Sequence, residues 1–249
     1  MQIPIIYRDS DIVVVEKPAG MLVHRSDIDR HETHFLVQKL RQQLDAYIYP
    51  VHRLDKATSG IMVFALQQAA ASQLARSWRD GEVGKEYLAV VRGRVEAPGT
   101  VDHALKPRKR DLFDSRKPVA ADSLALPAIT RYEPLASAEV DVPVGRYATS
   151  RYSMLALYPD TGRRHQLRRH MKHLFHPIIG DTSYGDGKHN RWFREALDSH
   201  RLLLMSRRLS FRHPESGAAV SFSCTPDPGF AAVLHYFGWS ETLCDTAPR

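Results

Sequence analysis

Two runs rich in apolar residues, 3–7 and 12–15, flank the polar stretch Arg8-Asp9-Ser10-Asp11. That pattern predicts a β-hairpin near the start of the chain. Pro18, in Lys17-Pro18-Ala19-Gly20, then interrupts the ladder, because proline has no N–H to donate. From about 33 to 47 the apolar positions Phe35, Leu36, Leu40, Leu44 and Ile48 recur at the spacing of a helix with one buried face. Short extended pieces are expected at 51–55 and 61–66, around Thr58-Ser59-Gly60. A second helix is predicted over 67–80, with Ala70, Leu74 and Trp78 on one side and Gly81 where a glycine ends a helix. A strand over 86–91 runs up to Gly93.

Periodicity fades between 97 and 126, where prolines and the cluster Lys106-Pro107-Arg108-Lys109-Arg110 predict a long surface excursion. Strands are expected again at 128–132 and 153–158, then the turn Pro159-Asp160-Thr161-Gly162 and a helix over about 164–175. A hairpin of 203–212 and 219–223 turns at Pro214-Glu215-Ser216-Gly217, and a helix over 230–237 closes the chain. Clustered hairpins interrupted by a few helices predict an α+β fold on a mixed, mostly antiparallel sheet. With no internal repeat and no sharp linker, residues 1–249 read as one domain.

Composition agrees with that picture, since 43% apolar and 25% charged residues belong to soluble globular chains. No apolar run approaches the roughly 20 residues of a membrane span. The N-terminus lacks the basic patch and long apolar core of a secretory signal. Cys224 and Cys244 form neither a disulfide framework nor a metal-ligand spacing, so a reduced cytoplasm is the expected setting. Charge adds more. Lys plus Arg number 35 and Asp plus Glu 28, a net of +7, which favours a polyanionic partner, most simply nucleic acid. A basic enzyme with no nucleic-acid business is the alternative, and the distribution of charge decides between them.

In an extended His52-Arg53-Leu54-Asp55, Arg53 and Asp55 share a face while Leu54 points to the core. A guanidinium beside Asp55 favours its charged form, and an ionised, positioned carboxylate is a nucleophile or a base. An ordinary ion pair at a sheet edge would give the same string. Over 163–172, Arg163, Arg164, Arg168, Arg169 and Lys172 are basic and nothing is acidic. Leu167, Met171 and Leu174 form a seam, so the helix is expected to pack on the body and turn its cations outward. Cations at a helix N-terminus oppose its dipole, at roughly 0.3–1 kcal/mol each. A solvated basic face is the plain alternative; an RNA phosphate or a buried carboxylate, which would offset that cost, explains the pattern better.

Thirteen histidines raise the question of a metal. His165, His170, His173 and His176 have no cysteine or acidic ligand between them, and His31-Glu32-Thr33-His34 is one residue short of H-E-x-x-H. No phosphate-cradling glycine motif is present either. Neither a metal nor a cofactor is expected.

The string His52-Arg53-Leu54-Asp55 with Thr58-Ser59-Gly60 resembles the H-R-L-D-x-x-T-S-G signature of the RluA-type pseudouridine synthases. Lys85-Glu86-Tyr87 resembles that family's K-x-Y motif, and Gly162 to His170, Gly-Arg-Arg-His-Gln-Leu-Arg-Arg-His, its G-R-x-H-Q-I/L-R-x-H motif. His176-Pro177-Ile178-Ile179-Gly180-Asp181 continues the likeness, which extends from Glu16-Lys17-Pro18-Ala19-Gly20 to His213-Pro214-Glu215-Ser216-Gly217. The resemblance implies a catalytic cleft across the sheet and no separate N-terminal S4-type RNA-binding domain. It implies isomerisation of a uridine in structured RNA: the N1–C1′ bond breaks, the uracil turns, and C5 rejoins the sugar.

It also implies roles. Asp55 starts the chemistry, as nucleophile at C1′ or as base on the 2′ proton. Tyr87 stacks on the uracil and handles the C5 proton, Arg168 reaches and orients Asp55, and Arg53 takes the space of the flipped base. Arg163, Arg164 and Arg169, with Lys106, Arg108, Lys109 and Arg110, would hold phosphates by charge. Leu22-Val23-His24-Arg25-Ser26 and the runs from Gly145-Arg146-Tyr147 to Arg151-Tyr152 look most like the branch that modifies tRNA at position 65, in the acceptor and T-stem region. An rRNA-modifying member of the family, a non-catalytic RNA-binding protein and a metal-assisted RNA hydrolase are the alternatives. The combination of Asp55, Tyr87 and Arg168 speaks against binding alone. A monomer acting on tRNA, with no protein partner and no membrane, is expected.

Overall fold

A computed structural model describes residues 2–24, 34–107 and 124–241, which form ten strands and five helices. β1 (Ile5–Arg8) and β2 (Ile12–Lys17) are the expected hairpin. Its turn is closed by the Asp9 carboxylate, which accepts the amides of Asp11 and Ile12 at 2.8 Å each. β2 pairs antiparallel with β4 (Ser59–Ala65), and β4 meets β9 (Leu204–Arg212) in a parallel contact of two residue pairs. Beyond β9 the sheet runs antiparallel through β5 (Gly84–Arg92), β8 (Ser150–Pro159), β7 (Ile129–Val140) and β6 (Gly99–Asp102). β3 (Tyr49–Pro50) pairs β4 and β10 (Ala219–Ser223) pairs β9. This is the mixed, mostly antiparallel α+β sheet that the pattern predicts.

The period of two along each strand sorts its side chains to two faces. On one face, Val13, Val15, Met62 and Phe64 pack with α1 (Leu36–Leu44), and Ala89, Val91, Leu155 and Leu157 pack with α3 (Gln166–His173). On the other, Ile12, Val14, Ile61 and Val63 meet α2 (Gln68–Asp80), while Leu88, Val90, Met154 and Met205 meet α4 (Gly187–Leu197) and α5 (Pro228–Tyr236). Tyr87 falls on the α1/α3 face. Among the described residues no helix is long and apolar enough to cross a membrane.

Four expectations need correction. Residues 51–55 are a loop, not a strand. β3 ends at Pro50, and the β4 edge beyond it is capped by a side chain, since the Val63 amide donates to Nε2 of His52 at 3.1 Å. β7 continues to Val140, past Pro134, because a register shift between Pro134 and Ala136 accommodates a residue with no N–H. The stretch from 97 to 126 contains β6, and 108–123 lies outside the described residues. α4 was not expected: only Asn190 and Phe193 are buried along it, and its start is fixed by the Asp186 side chain, which accepts the amides of Lys188 and His189.

Candidate active site

Asp55 sits on the 51–58 loop, which is fastened from several sides. Leu54 is buried in the apolar cluster beneath α1. The Thr58 amide closes a turn on the Asp55 carbonyl at 3.1 Å. The neighbouring Lys56 carbonyl accepts the Gly20 amide at 2.8 Å and the ammonium of Lys17 at 3.1 Å. Lys17 is fully buried and also donates to the carbonyls of Pro18 and Met21. Burial lowers its pKa to about 7, against the opposing pull of the Asp55 charge. Gly60 explains the glycine of the Thr-Ser-Gly string: its φ is 107°, and a Cβ there would stand 2.1 Å from the Ser206 carbonyl oxygen. Only glycine lets β4 approach β9, and that approach carries the Asp55 loop to the middle of the sheet.

His52 is a packing residue. Its ring stacks on Trp78 at 4.7 Å, and loss of solvation, reinforced by Lys85, brings its pKa to about 3, so it stays neutral and can accept from Val63.

Across the cleft, Tyr87 lies at a register shift of the β5–β9 pairing. Burial, then the nearby Asp55 charge, push its phenol up to about 12, while a hydrogen bond with Ser206 opposes them. The hydroxyl is therefore protonated at neutral pH.

α3 supplies the third wall. Its N-cap, His165, has a left-handed backbone (φ 53°), so Arg163 and Arg164 precede the helix instead of opening it. Gln166 locks that entry: its Oε1 accepts from the Thr161 hydroxyl and the Arg163 amide, and its Nε2 donates to the Ile129 carbonyl and the Thr130 hydroxyl. Arg168 points inward, against the expectation of outward cations. Its Nη1 lies 3.2 Å from Oδ2 of Asp55, and its Nε and Nη2 bind the two carboxylate oxygens of buried Asp181 at 2.7 and 2.9 Å. His165 Nε2 stands 3.7 Å from Asp55 Oδ2 and its Nδ1 lies 3.2 Å from the Tyr184 hydroxyl. The hydrogen-bonded cation on Asp55 is thus Arg168, 113 residues away, as the resemblance implied; the face-sharing argument for the adjacent Arg53 assumed a strand that is a loop.

These groups enclose a cleft of about 430 Å³. Asp55, Tyr87 and Arg168 line it together with Arg53, Arg163 and Arg164. Arg169 and Lys106 do not; they meet elsewhere, the Arg169 guanidinium donating to the Lys106 carbonyl at 2.9 Å. Arg108, Lys109 and Arg110 lie outside the described residues. Asp181, Tyr184 and Lys17 are neighbours that residue-level reasoning did not single out, and His165 was weighed only as a metal ligand. Lys17, His165 and Asp181 stand inside strings that carry the family likeness and Tyr184 three residues past one, so the signal was position in a motif and not chemistry. A partly exposed carboxylate fixed by a guanidinium can act as nucleophile or base, and a protonated phenol facing it can donate. The Cys224 thiol is no competitor, since burial pushes it up to about 12.

Residues 11–173 match the family model described as RNA pseudouridylate synthase. The chain is 45% identical over 243 residues to tRNA pseudouridine synthase C of Vibrio parahaemolyticus, covering 98% of each chain. To the protein of the same name in Vibrio vulnificus it is 47% identical, covering 96% of this chain and 97% of the other. Among solved structures, Human RNA Pseudouridylate Synthase Domain Containing 4 superposes with a TM-score of 0.70 at 25% identity, covering 94% of this chain and 93% of that one.

Proposed function

The chain belongs to the RNA pseudouridylate synthase family, and from that premise we propose that its cleft converts a uridine of tRNA to pseudouridine, at position 65. The observation that carries this reading is the Asp55 carboxylate, open to the cleft, held by Arg168 and faced by a protonated Tyr87. The tRNA substrate is supported by the names of the relatives, tRNA pseudouridine synthases C. Position 65 rests on the likeness of the runs around Leu22 and Arg146. The protein acts as one catalytic domain, a cytoplasmic monomer. Unmodified tRNA and rRNA transcripts incubated with it, then mapped by carbodiimide labelling, should give one new pseudouridine, in tRNA. Modification of rRNA alone would make this an rRNA-modifying member of the family.

The target base must leave its stack to enter the cleft. Arg53, exposed at the mouth, fills the vacated space. Asp55 attacks C1′ or removes the 2′ proton, and Arg168 orients it. Tyr87 stacks on the uracil. Because its phenol is protonated, it takes the C5 proton only while giving up its own, and the balance is met at N1, which leaves C1′ without a proton and carries one in pseudouridine. Tyr87→Phe keeps the stacking, worth roughly 1–3 kcal/mol per base. That variant should bind tRNA normally while tritium release from C5-labelled uridine falls about 10²-fold or more. Release at the wild-type rate would leave Tyr87 with stacking alone.

Arg163, Arg164 and Arg169, with Lys106 and Arg108 to Arg110, contact phosphates. Replacing Arg108, Lys109 and Arg110 with alanine should flatten the slope of log K against log salt by about 0.7–0.9 per lost contact. Turnover at saturating tRNA should hold, because uniform binding loss raises KM alone. An unaltered salt slope would remove this cluster from the interface.

A further inference from the structure

We propose that Asp181 is a positioning residue for the isomerisation, acting through Arg168 to leave Asp55 held in place but incompletely ion-paired; this rests on the reading of Asp55 given above.

An arginine presents five N–H donors in a planar fork. Asp181 takes one whole edge of the Arg168 fork, Nε at 2.7 Å and Nη2 at 2.9 Å, and so fixes its plane. Nη1 is what remains for Asp55, at the longer distance of 3.2 Å. The two carboxylates differ in every other respect. The Asp181 side chain is fully enclosed and accepts four hydrogen bonds, two from Arg168 and two from the amides of Ser183 and Tyr184. Oδ1 takes three of these bonds and Oδ2 the fourth, so the carboxylate is committed to Arg168 and to its own turn, away from the cleft. The Asp55 side chain is 24% exposed and faces the cleft.

One guanidinium therefore stands between two carboxylates, and the dry, bidentate partner takes most of its charge. Asp55 receives direction from Arg168 more than neutralisation, and its carboxylate stays open to the cleft. The segment that carries Asp181 is itself rigid. The Asp181 carbonyl accepts from Asn190 Nδ2 and the Gly185 amide, and Asn190 Oδ1 accepts the Gly180 amide. Gly180 has φ 79°, and a Cβ there would meet the Arg201 carbonyl oxygen at 1.8 Å. Three residues past Asp181, the Tyr184 ring lies 5.2 Å from the Arg168 guanidinium and its hydroxyl reaches His165. Both groups that the structure sets against Asp55 are thus braced by residues 181–184.

Asp181→Asn removes the charge and half of the acceptors with little change of shape. The expected result, in single-turnover kinetics on unmodified tRNA transcript, is a rate at least about thirtyfold below wild type with KM and tRNA affinity within about threefold. In an Arg168→Lys background, where no second edge exists to be held, adding Asp181→Asn should change the rate by less than about threefold. A wild-type rate for Asp181→Asn, multiplicative effects of the two substitutions, or a KM that rises as far as the rate falls would each overturn the proposal. If Asp181→Asn does not fold, Asp181→Ser carries the same test, since the smaller side chain leaves room for water on the two amides. Failure of both to fold would also overturn it, the residue then holding the fold and not the site. Asp55→Asn run in parallel keeps the two readings apart. Activity in that variant sinks the reading of the site, whereas an inactive Asp55→Asn beside a fully active Asp181→Asn sinks only this inference.

Discussion

Asp55→Asn should fold, bind tRNA and form pseudouridine at least about 10³-fold more slowly than the wild type. The substitution is nearly isosteric, and an amide neither attacks a sugar carbon nor abstracts a proton at useful rates. The loop is held by Leu54, Thr58 and the Lys56 carbonyl, none of which the change touches. Arg168 keeps its bidentate partner, so loss of the partly exposed Asp55 charge should alter stability by less than about 1 kcal/mol. Filter binding and carbodiimide mapping on one preparation decide the matter. Turnover within tenfold of wild type would end the assignment, and unfolding would make Asp55 half of a structural ion pair.

The second large effect is on stability. Arg168→Met leaves Asp181 buried without its cation, and breaking a buried pair in this way costs about 3–5 kcal/mol at neutral pH. The pH dependence carries the signature. In the wild type, burial raises the Asp181 carboxyl, but Arg168 and the two amides outweigh it and hold the group below the ordinary carboxyl range. Its contribution is present above the unfolded pKa, about 4, and is lost as pH falls through the depressed folded value. Without Arg168, burial dominates and the folded value moves above the unfolded one. The variant is then penalised at neutral pH and relieved as pH falls toward about 4. Urea midpoints at pH 7 and pH 5 should converge between the two proteins on acidification. A gap that stays constant would mean that Asp181 is not the group left uncompensated.

The hairpins were legible because their apolar patterns are dense and local: β2 and the first six residues of β9 bury nearly every side chain, and turn residues stand between the strands. α2 announced itself through one apolar face and a terminal glycine. α4 did not, since a polar Asn190 occupies one of its two buried positions and carries a network instead of an apolar stripe. At the site, motif strings marked Asp55, Tyr87 and Arg168. The pairing among them was less accessible to residue-level reasoning. A cation adjacent in sequence looks like the natural partner, yet the loop at 51–55 gives that place to a helix 113 residues on. Asp181 was harder still, because it meets Arg168 through a folded-back segment and not through any helical spacing.

The parallel contact of Ser59 and Gly60 with Met205 and Ser206 also sets a timetable. Asp55 belongs to the part of the sheet built from β1, β2 and β4, whereas Tyr87 and Arg168 belong to β5 and α3. β9 lies between the two parts and is made last among these strands. A nascent chain that has emerged only as far as α3 carries all three side chains without the strand that joins the two parts of the sheet. Closure of the cleft between the two parts awaits a contact of very large sequence separation, the kind that forms slowly.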